Sequence, residues 1–378
     1  MAIGLYIHVP FCLKKCRYCD FISYPYSRTA AKDYLAALIR EIQLYGSFLD
    51  EVEKETASLF IGGGTPTCLP MGDLREILGC IRSIFRLTPD CEITVEANPG
   101  TIDAGGLYEL RRTGVNRLSI GVQSLADGLL KTLGRVHNAA QAGAAVRLAR
   151  QAGFDNINID LIYGIPGQTL AVWQETLDRT VAFEPEHVAA YGLQLEEGTP
   201  LERSVAIGDM RACPEELELS MYHTAIISLK KSGYHHYEIS NFARPGRECV
   251  HNLVYWLNLP FLGLGPAAHS CFRGERFANE REPEKYRSRL RRGELRVADR
   301  ETLTVETEMS ETMFLGLRLL QGVSLAAFRQ RFGRRLEDVY RSEIKRLTKD
   351  GLTEIDGDYL RLTERGLPLA NRVFLEFV

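Results

Sequence analysis

The chain has 378 residues, 45% hydrophobic and 25% charged, with a formal net charge of −3. Such a composition fits a soluble globular protein of two or three domains, or one large α/β domain with an appendage. It offers no run near the roughly 20 apolar residues that span a bilayer, and its near-neutral charge argues against a dominant nucleic-acid role.

The N-terminal ten residues read as a strand, centred on 5–9, and lack the charged start and apolar core of a secretory leader. Nine cysteines, an odd number without such a leader, point to free thiols in a reducing cytoplasm. Directly after this strand come Cys12, Cys16 and Cys19 in a CxxxCxxC spacing. Three thiolates on one short loop suit a [4Fe–4S] cube, each binding one iron and leaving the fourth open to a small molecule. A structural zinc normally takes four ligands, often in C-x₂-C pairs, and no second Cys or His pair lies nearby in sequence. Zinc and unrelated thiols remain the alternatives at this point. The other cysteines are scattered and read as small buried hydrophobes.

Further strands are expected at 58–61, 92–96, 117–120, 156–162 and 187–193, with helices at 31–48, 71–85, 139–151 and 171–183 between them. Six parallel strands in β-α alternation favour a barrel or partial barrel, with chemistry at the C-terminal strand ends. The unusual residues fall there. Gly62-Gly63-Gly64-Thr65-Pro66 follows the second strand and Glu96-Ala97-Asn98-Pro99 closes the third. Gly121-Val122-Gln123-Ser124 follows the fourth, and Asp160 with Tyr163-Gly164-Ile165-Pro166-Gly167 belongs to the fifth. Singly, each is an ordinary turn or loop start. Their coincidence on one barrel face implies a ligand site. Glycines there let backbone approach a ligand, while Glu96, Gln123, Arg135 and Asp160 supply groups to grip an amino acid, a ribose and a carboxylate.

Beyond residue 200, Glu215–Lys231 reads as a helix, and residues 233–270 are aromatic, charge-poor and histidine-rich. The stretch 273–301 mixes arginines with acids and reads as a solvated face and linker. In the last portion, Ser310 is expected to cap one helix, Ser324 to start a second that Gly333 stops, and 336–349 to form a third. Strands at 352–355 and 359–362 around Asp356-Gly357-Asp358 complete a winged-helix pattern. Without a basic recognition face, a structural role is expected for it, not nucleic-acid binding.

The CxxxCxxC loop after the first strand resembles the radical S-adenosylmethionine (SAM) superfamily, in the branch related to oxygen-independent coproporphyrinogen oxidase. The resemblance implies an α/β fold: a (β/α)6 partial TIM-type barrel with a C-terminal helical, winged-helix-like domain. The expected organisation is a barrel over 1–200, an extension and linker over 201–300, and the C-terminal domain over 301–378. It also implies that Cys12, Cys16 and Cys19 hold a [4Fe–4S] cluster. Tyr6, Tyr18, Gly63, Gly64, Thr65, Glu96, Gln123, Arg135, Asp160 and Gln194 would contact SAM.

Two departures count against coproporphyrinogen decarboxylation. Phe21 stands where the oxidase carries a fourth nearby cysteine, and the oxidase's long N-terminal extension has no counterpart here. His251-Asn252-Leu253-Val254-Tyr255-Trp256 matches HNxxYW, which looks like the signature of HemW-type haem chaperones. From the hexapeptide alone, a core histidine in an aromatic cluster is the simpler reading. The family resemblance instead implies haem binding by His251, Asn252, Tyr255 and Trp256, since neutral imidazole is a good axial ligand. Cys249 and His269 are competing ligands. The implied function is a cytoplasmic haem chaperone that delivers haem to an acceptor haemoprotein, self-associates as a homodimer, and meets any membrane-bound acceptor only peripherally. SAM cleavage is compatible with this reading, and coproporphyrinogen III oxidation is the alternative.

Overall fold

The computed structural model describes residues 2–295 and 298–378. Six strands run parallel in chain order: β1 (Ile3–Val9), β2 (Glu55–Gly63), β3 (Arg86–Ala97), β4 (Arg117–Gln123), β5 (Ile157–Tyr163) and β6 (His187–Gly192). Helices including Arg28–Phe48, Met71–Ile84, Ala139–Gln151 and Leu170–Val181 cross between them. Leu5, Ile7, Leu59, Ile61, Val95, Leu118, Ile159 and Val188 are buried in one continuous core. Strands covered on both faces read as apolar runs, not alternations, which is why they are conspicuous in the sequence.

Both edges of the barrel sheet are extended. On the β6 side, β7 (His235–Glu238) and β8 (Asn241–Ala243) add antiparallel, β8 lying next to β6. On the β1 side, β9 (Phe261–Leu264) pairs parallel with β1, followed antiparallel by β10 (His269–Phe272), β11 (Glu275–Ala278) and β12 (Asp299–Thr302). Among the described residues this makes one twelve-stranded sheet.

The stretch 273–301 is therefore not a linker. Apart from residues 296 and 297, which lie outside the described residues, it contains β11, most of β12 and the helix Pro283–Arg291. Its charges disguised it: they pair on the outer side, as Arg300 does with Glu275 at 2.9 Å, while Phe277, Tyr286 and Leu290 are buried. Glu41, on the long helix Arg28–Phe48, is buried beneath them. It accepts the Gly265 N–H (2.8 Å), the Asn279 amide (2.7 Å) and the Tyr286 hydroxyl (2.6 Å), tying the extension to the barrel.

The C-terminal unit has its own core of Met313, Leu317, Phe328, Leu347, Leu360 and Phe377. Two details differ from the sequence-based expectation. Ser310 is not a cap: its helix, Val305–Gly316, starts at Thr304, whose hydroxyl accepts the Thr307 N–H at 3.1 Å. The Ser310 hydroxyl instead donates to the Phe377 carbonyl. The helix expected over 336–349 is two helices, Leu336–Val339 and Arg341–Lys349, broken at Tyr340, whose ring packs edge-on against Phe377. Gly333 ends the helix Leu325–Phe332 in the left-handed conformation, and the hairpin forms between Thr353–Asp356 and Tyr359–Leu362.

Candidate functional site

A cavity of about 400 Å³ opens at the C-terminal ends of the barrel strands. Phe11–Cys12 pairs with Tyr24–Pro25, which folds the intervening chain into a compact loop and directs Cys12, Cys16 and Cys19 to the cavity wall. The loop is pinned from outside, by Arg17 N–H to the Leu133 carbonyl and by Leu201 N–H to the Arg17 carbonyl, both at 2.9 Å. All three thiols are free and partly exposed. Burial pushes the Cys19 thiol up to about 11. Phe21 stands at the rim, 63% exposed.

The glycines after β2 are steric requirements. A Cβ on Gly63, whose φ is +107°, would run into the His8 ring at Nδ1, and one on Gly64 would lie 2.5 Å from the Phe11 carbonyl oxygen. The turn can therefore lie flat against the thiol loop. Behind it, the Thr65 hydroxyl accepts the Asn98 amide at 2.7 Å and donates toward Cys12 Sγ at 3.6 Å. Arg135 reaches the same group: its guanidinium donates to Asn98 Oδ1, to the Gly121 carbonyl at 2.6 Å, and toward Cys16 Sγ at 3.4 Å.

The floor is acidic. Glu96 accepts the Gly63 N–H at 3.1 Å, and burial, helped by Asp160, pushes its carboxyl up to about 8. Asp160, also raised by burial, accepts from Asn158 (2.7 Å) and Ser119 (3.0 Å). Burial thus favours the neutral form of both carboxyls, which suits hydroxyl-bearing ligands, and an ammonium placed beside Glu96 would draw it back to the carboxylate. Gln123 adopts φ +66° at the end of β4, a conformation that non-glycine residues take up at a cost, and it lines the cavity with Tyr18 and Gln194.

Thus Tyr18, Gly63, Gly64, Thr65, Glu96, Gln123, Arg135, Asp160 and Gln194 are brought together on one cavity, while Tyr6 is not on its lining. The Tyr6 hydroxyl bonds His8 Nδ1 at 3.1 Å, one layer deeper in the barrel. Asn98, which the sequence reading placed on this face without a role, also lines the cavity just past the end of β3, and Ser119 and Tyr191, which it missed, do so too.

The donor set can be tested against its ligand. Among the described residues, no three Cys, His, Asp or Glu side chains converge on a single-ion site. One zinc would need its thiolates drawn together at Zn–S distances of about 2.3 Å. A cube offering each thiol its own iron suits three thiols spread along a loop, and the cradle opposite is polar. The residues fit a cluster better than a zinc.

The HNxxYW segment lies elsewhere. It is the helix Val250–Trp256, set against the N-terminal halves of β1 and β2. A Cβ on Gly4 would stand 3.5 Å from the His251 ring, and Gly4 precedes the end of β1 by five residues, roughly 16 Å of strand. His251 is 2% exposed, with Nδ1 2.9 Å from Ser58 Oγ, Nε2 2.8 Å from the Tyr255 hydroxyl, and Phe60 stacked on its ring at 5.2 Å. Burial, reinforced by Arg117, pushes its pKa down to about 3, so the imidazole is neutral.

The four motif residues do not share one pocket. Trp256 faces the C-terminal unit, with the Arg318 guanidinium 4.4 Å over its ring, and Asn252 is half-buried. Cys249 is buried with Sγ 3.4 Å from Glu92, whereas His269 is exposed on β10.

Three thiols after the first of six parallel strands, over a polar cradle at the strand ends, define a radical SAM scaffold. Residues 6–180 match the radical SAM superfamily and residues 303–369 the HemN C-terminal domain. Within that superfamily, the chain belongs to the HemW heme chaperone family. It is 36% identical to heme chaperone HemW of Bacillus subtilis, over 99% of this chain and 98% of that protein. Identity to the Mycobacterium tuberculosis heme chaperone HemW is 37%, over 98% and 93%. Among solved structures, coproporphyrinogen III oxidase HemN from Escherichia coli, a radical SAM enzyme, superposes with a TM-score of 0.87 at 26% identity, covering 100% of this chain and 90% of that one. Among the described residues, no helix is long and apolar enough to cross a membrane.

Proposed function

We propose that this protein binds haem and transfers it to an apo-haemoprotein, acting in the cytoplasm as a homodimer. In this reading Cys12, Cys16 and Cys19 hold a [4Fe–4S] cluster and the cavity holds SAM. The observation that carries the proposal is full-length identity with proteins named heme chaperone HemW, through both the barrel and the C-terminal unit. His251 would be the axial ligand: its imidazole is neutral, and Nε2 would have to give up the Tyr255 hydroxyl to reach iron.

A bound cluster would supply a single reducing electron beside SAM. The chain's own residues do the rest of the work. Thr65, Asn98 and Arg135 brace the thiol loop and its neighbouring turn. Glu96 offers a carboxyl to an ammonium, and Asp160, oriented by Asn158 and Ser119, offers one to ribose hydroxyls. Gln123, Gln194 and Tyr18 close the walls.

Haem titration followed by the Soret band tests the reading. Saturable binding at one haem per chain, followed by loss of that band to an added apo-haemoprotein, is expected. Absence of saturable binding contradicts it. The second reading, oxidative decarboxylation of coproporphyrinogen III, is favoured by the likeness to HemN over the whole of this chain.

A further inference from the structure

A second cavity, of about 250 Å³, lies where the thiol loop, the helix Arg28–Phe48 and the helix Pro283–Arg291 meet. It shares no lining residue with the cavity at the strand ends. In the short pair Phe11–Cys12 and Tyr24–Pro25, Cys12 lines the first cavity, while Phe11, Tyr24 and Pro25 line the second. Tyr24 and Pro25 are exposed and give it an opening to solvent.

Its wall is apolar for a physical reason. Pro10, Pro25, Pro266 and Pro283 contribute ring methylenes and no N–H. Phe11 and Tyr34, both buried, meet edge-on at 5.5 Å. The tyrosine hydroxyls are engaged with the protein. Tyr34 donates to the His8 carbonyl at 2.9 Å, Tyr286 to Glu41 at 2.6 Å, and Tyr24 to the Arg281 carbonyl at 3.4 Å. What they leave for a ligand is ring face. No Cys, His, Asp or Glu is among the described lining residues, so the cavity has the means to bind and not to react.

Arg287 is the exception. Its two terminal nitrogens donate to Asp33 and Glu284, whereas its Nε–H is buried and has no acceptor among the described residues. A buried donor left unpaired is a cost that a ligand with an acceptor removes. That acceptor is best neutral. The two carboxylates already outweigh the one guanidinium charge, so an anion would be repelled, and the apolar wall offers a cation no counter-charge. Size narrows the class further. An apolar cavity of about 150 Å³ takes one benzene. The larger volume here has room for two fused rings, and not for a tetrapyrrole.

We infer that this cavity is a binding site for an uncharged aromatic molecule of two fused rings with one hydrogen-bond acceptor. The rings pack between the prolines and tyrosines, and the acceptor oxygen takes Arg287 Nε–H. The occupant lies against Phe11, Tyr24 and Pro25, on the strand pair that closes the thiol loop. The site is separate from the haem-binding reading, and neither falls with the other.

The test is equilibrium dialysis of the full chain against indanone, which carries the acceptor, and indane, which has the same two rings without it. Each is expected to fill one saturable site per chain, with a dissociation constant at or below about 1 mM, the scale for a well-packed ligand of that size. Arg287→Lys keeps the positive charge and loses the Nε–H. It should weaken indanone about tenfold, the scale of one hydrogen bond to a charged group, and leave indane within about twofold. Retained indane binding also shows that the variant's cavity is folded. Ala30→Phe, which puts a ring at a lining position, should abolish binding of both. Absence of saturable binding by either compound overturns the inference, as does binding that Ala30→Phe leaves unchanged. Equal effects of Arg287→Lys on the two compounds, whether loss or none, remove the acceptor and overturn it too.

Discussion

The Glu92 carboxylate accepts the backbone N–H of His251 at 3.2 Å and that of Val250 at 3.3 Å, from inside the barrel. Strand β3 thus anchors the first turn of the HNxxYW helix, and Arg117, fully buried on β4, balances the charge at 3.8 Å. A second line of hydrogen bonds reaches the same turn from the cavity floor. Asp160 accepts from the Asn158 side-chain amide, whose Oδ1 meets His187 Nδ1 at 2.6 Å; His187 Nε2 meets the Tyr237 hydroxyl at 2.9 Å, and that hydroxyl accepts the Cys249 N–H at 3.4 Å. The cavity and the HNxxYW helix are opposite ends of one polar barrel interior.

Replacing Glu92 with Ala would leave the Arg117 guanidinium buried without its counter-charge and two helix N–H groups unpaired. The expected loss is about 3–5 kcal/mol of stability, read as a lower midpoint in urea. Glu92→Gln, which keeps an acceptor oxygen, should lose less. Equal midpoints for Glu92→Ala and the parent would show that the pair anchors nothing.

Arg135 bridges the Gly121 carbonyl, Asn98 and the Cys16 thiol. Arg135→Ala should weaken SAM binding by isothermal titration about tenfold, equivalent to roughly 1.4 kcal/mol, the scale of a hydrogen bond to a charged group. Asn98→Ala should do so less, since Arg135 keeps the Gly121 carbonyl. Parental SAM affinity in both variants would remove them from the ligand site.

Cys16→Ser should remove most cluster iron and its visible absorption after reconstitution, while haem binding persists because His251 lies at the far end of the strands. Unchanged iron content would defeat the thiol assignment.

Glu41 gives the extension a pH dependence. Burial pushes its carboxyl up to about 7, against the three donors that hold it, from an ordinary value near 4.3. A raised carboxyl favours the folded state while protonated. Its contribution is therefore fully present below about pH 4 and lost as pH rises through about 7, amounting to roughly 4 kcal/mol. Relative to Glu41→Gln, the parent should lose stability between about pH 4 and 8 in urea titrations at fixed ionic strength. Parallel pH profiles for the two proteins would refute it.

The six barrel strands were legible because strands buried on both faces read as plain apolar runs, and the site was legible because glycines and carboxylates recur at their ends. The stretch 273–301 was not. Arg287 and Arg289 suggested solvent, but the apolar residues on either side of them, Tyr286 and Leu290, face the barrel helix beside Glu41. Ser310 looked like a cap because serine before an apolar run normally is one, yet its hydroxyl is used by the chain end at Phe377. Tyr6 was expected on the cavity and lies a layer below it, since alternation along β1 does not reveal depth. The burial of His251 could not be read locally either: Ser58 and Glu92, which hold it, are distant in sequence.

The central claim is tested most directly by an anaerobic assay of reconstituted protein with reductant and SAM, given haem and coproporphyrinogen III in separate reactions. The account predicts stoichiometric haem binding, transferable to an apo-haemoprotein, and no porphyrin turnover. Conversion of coproporphyrinogen III to protoporphyrinogen IX would contradict it and identify an oxidase despite Phe21.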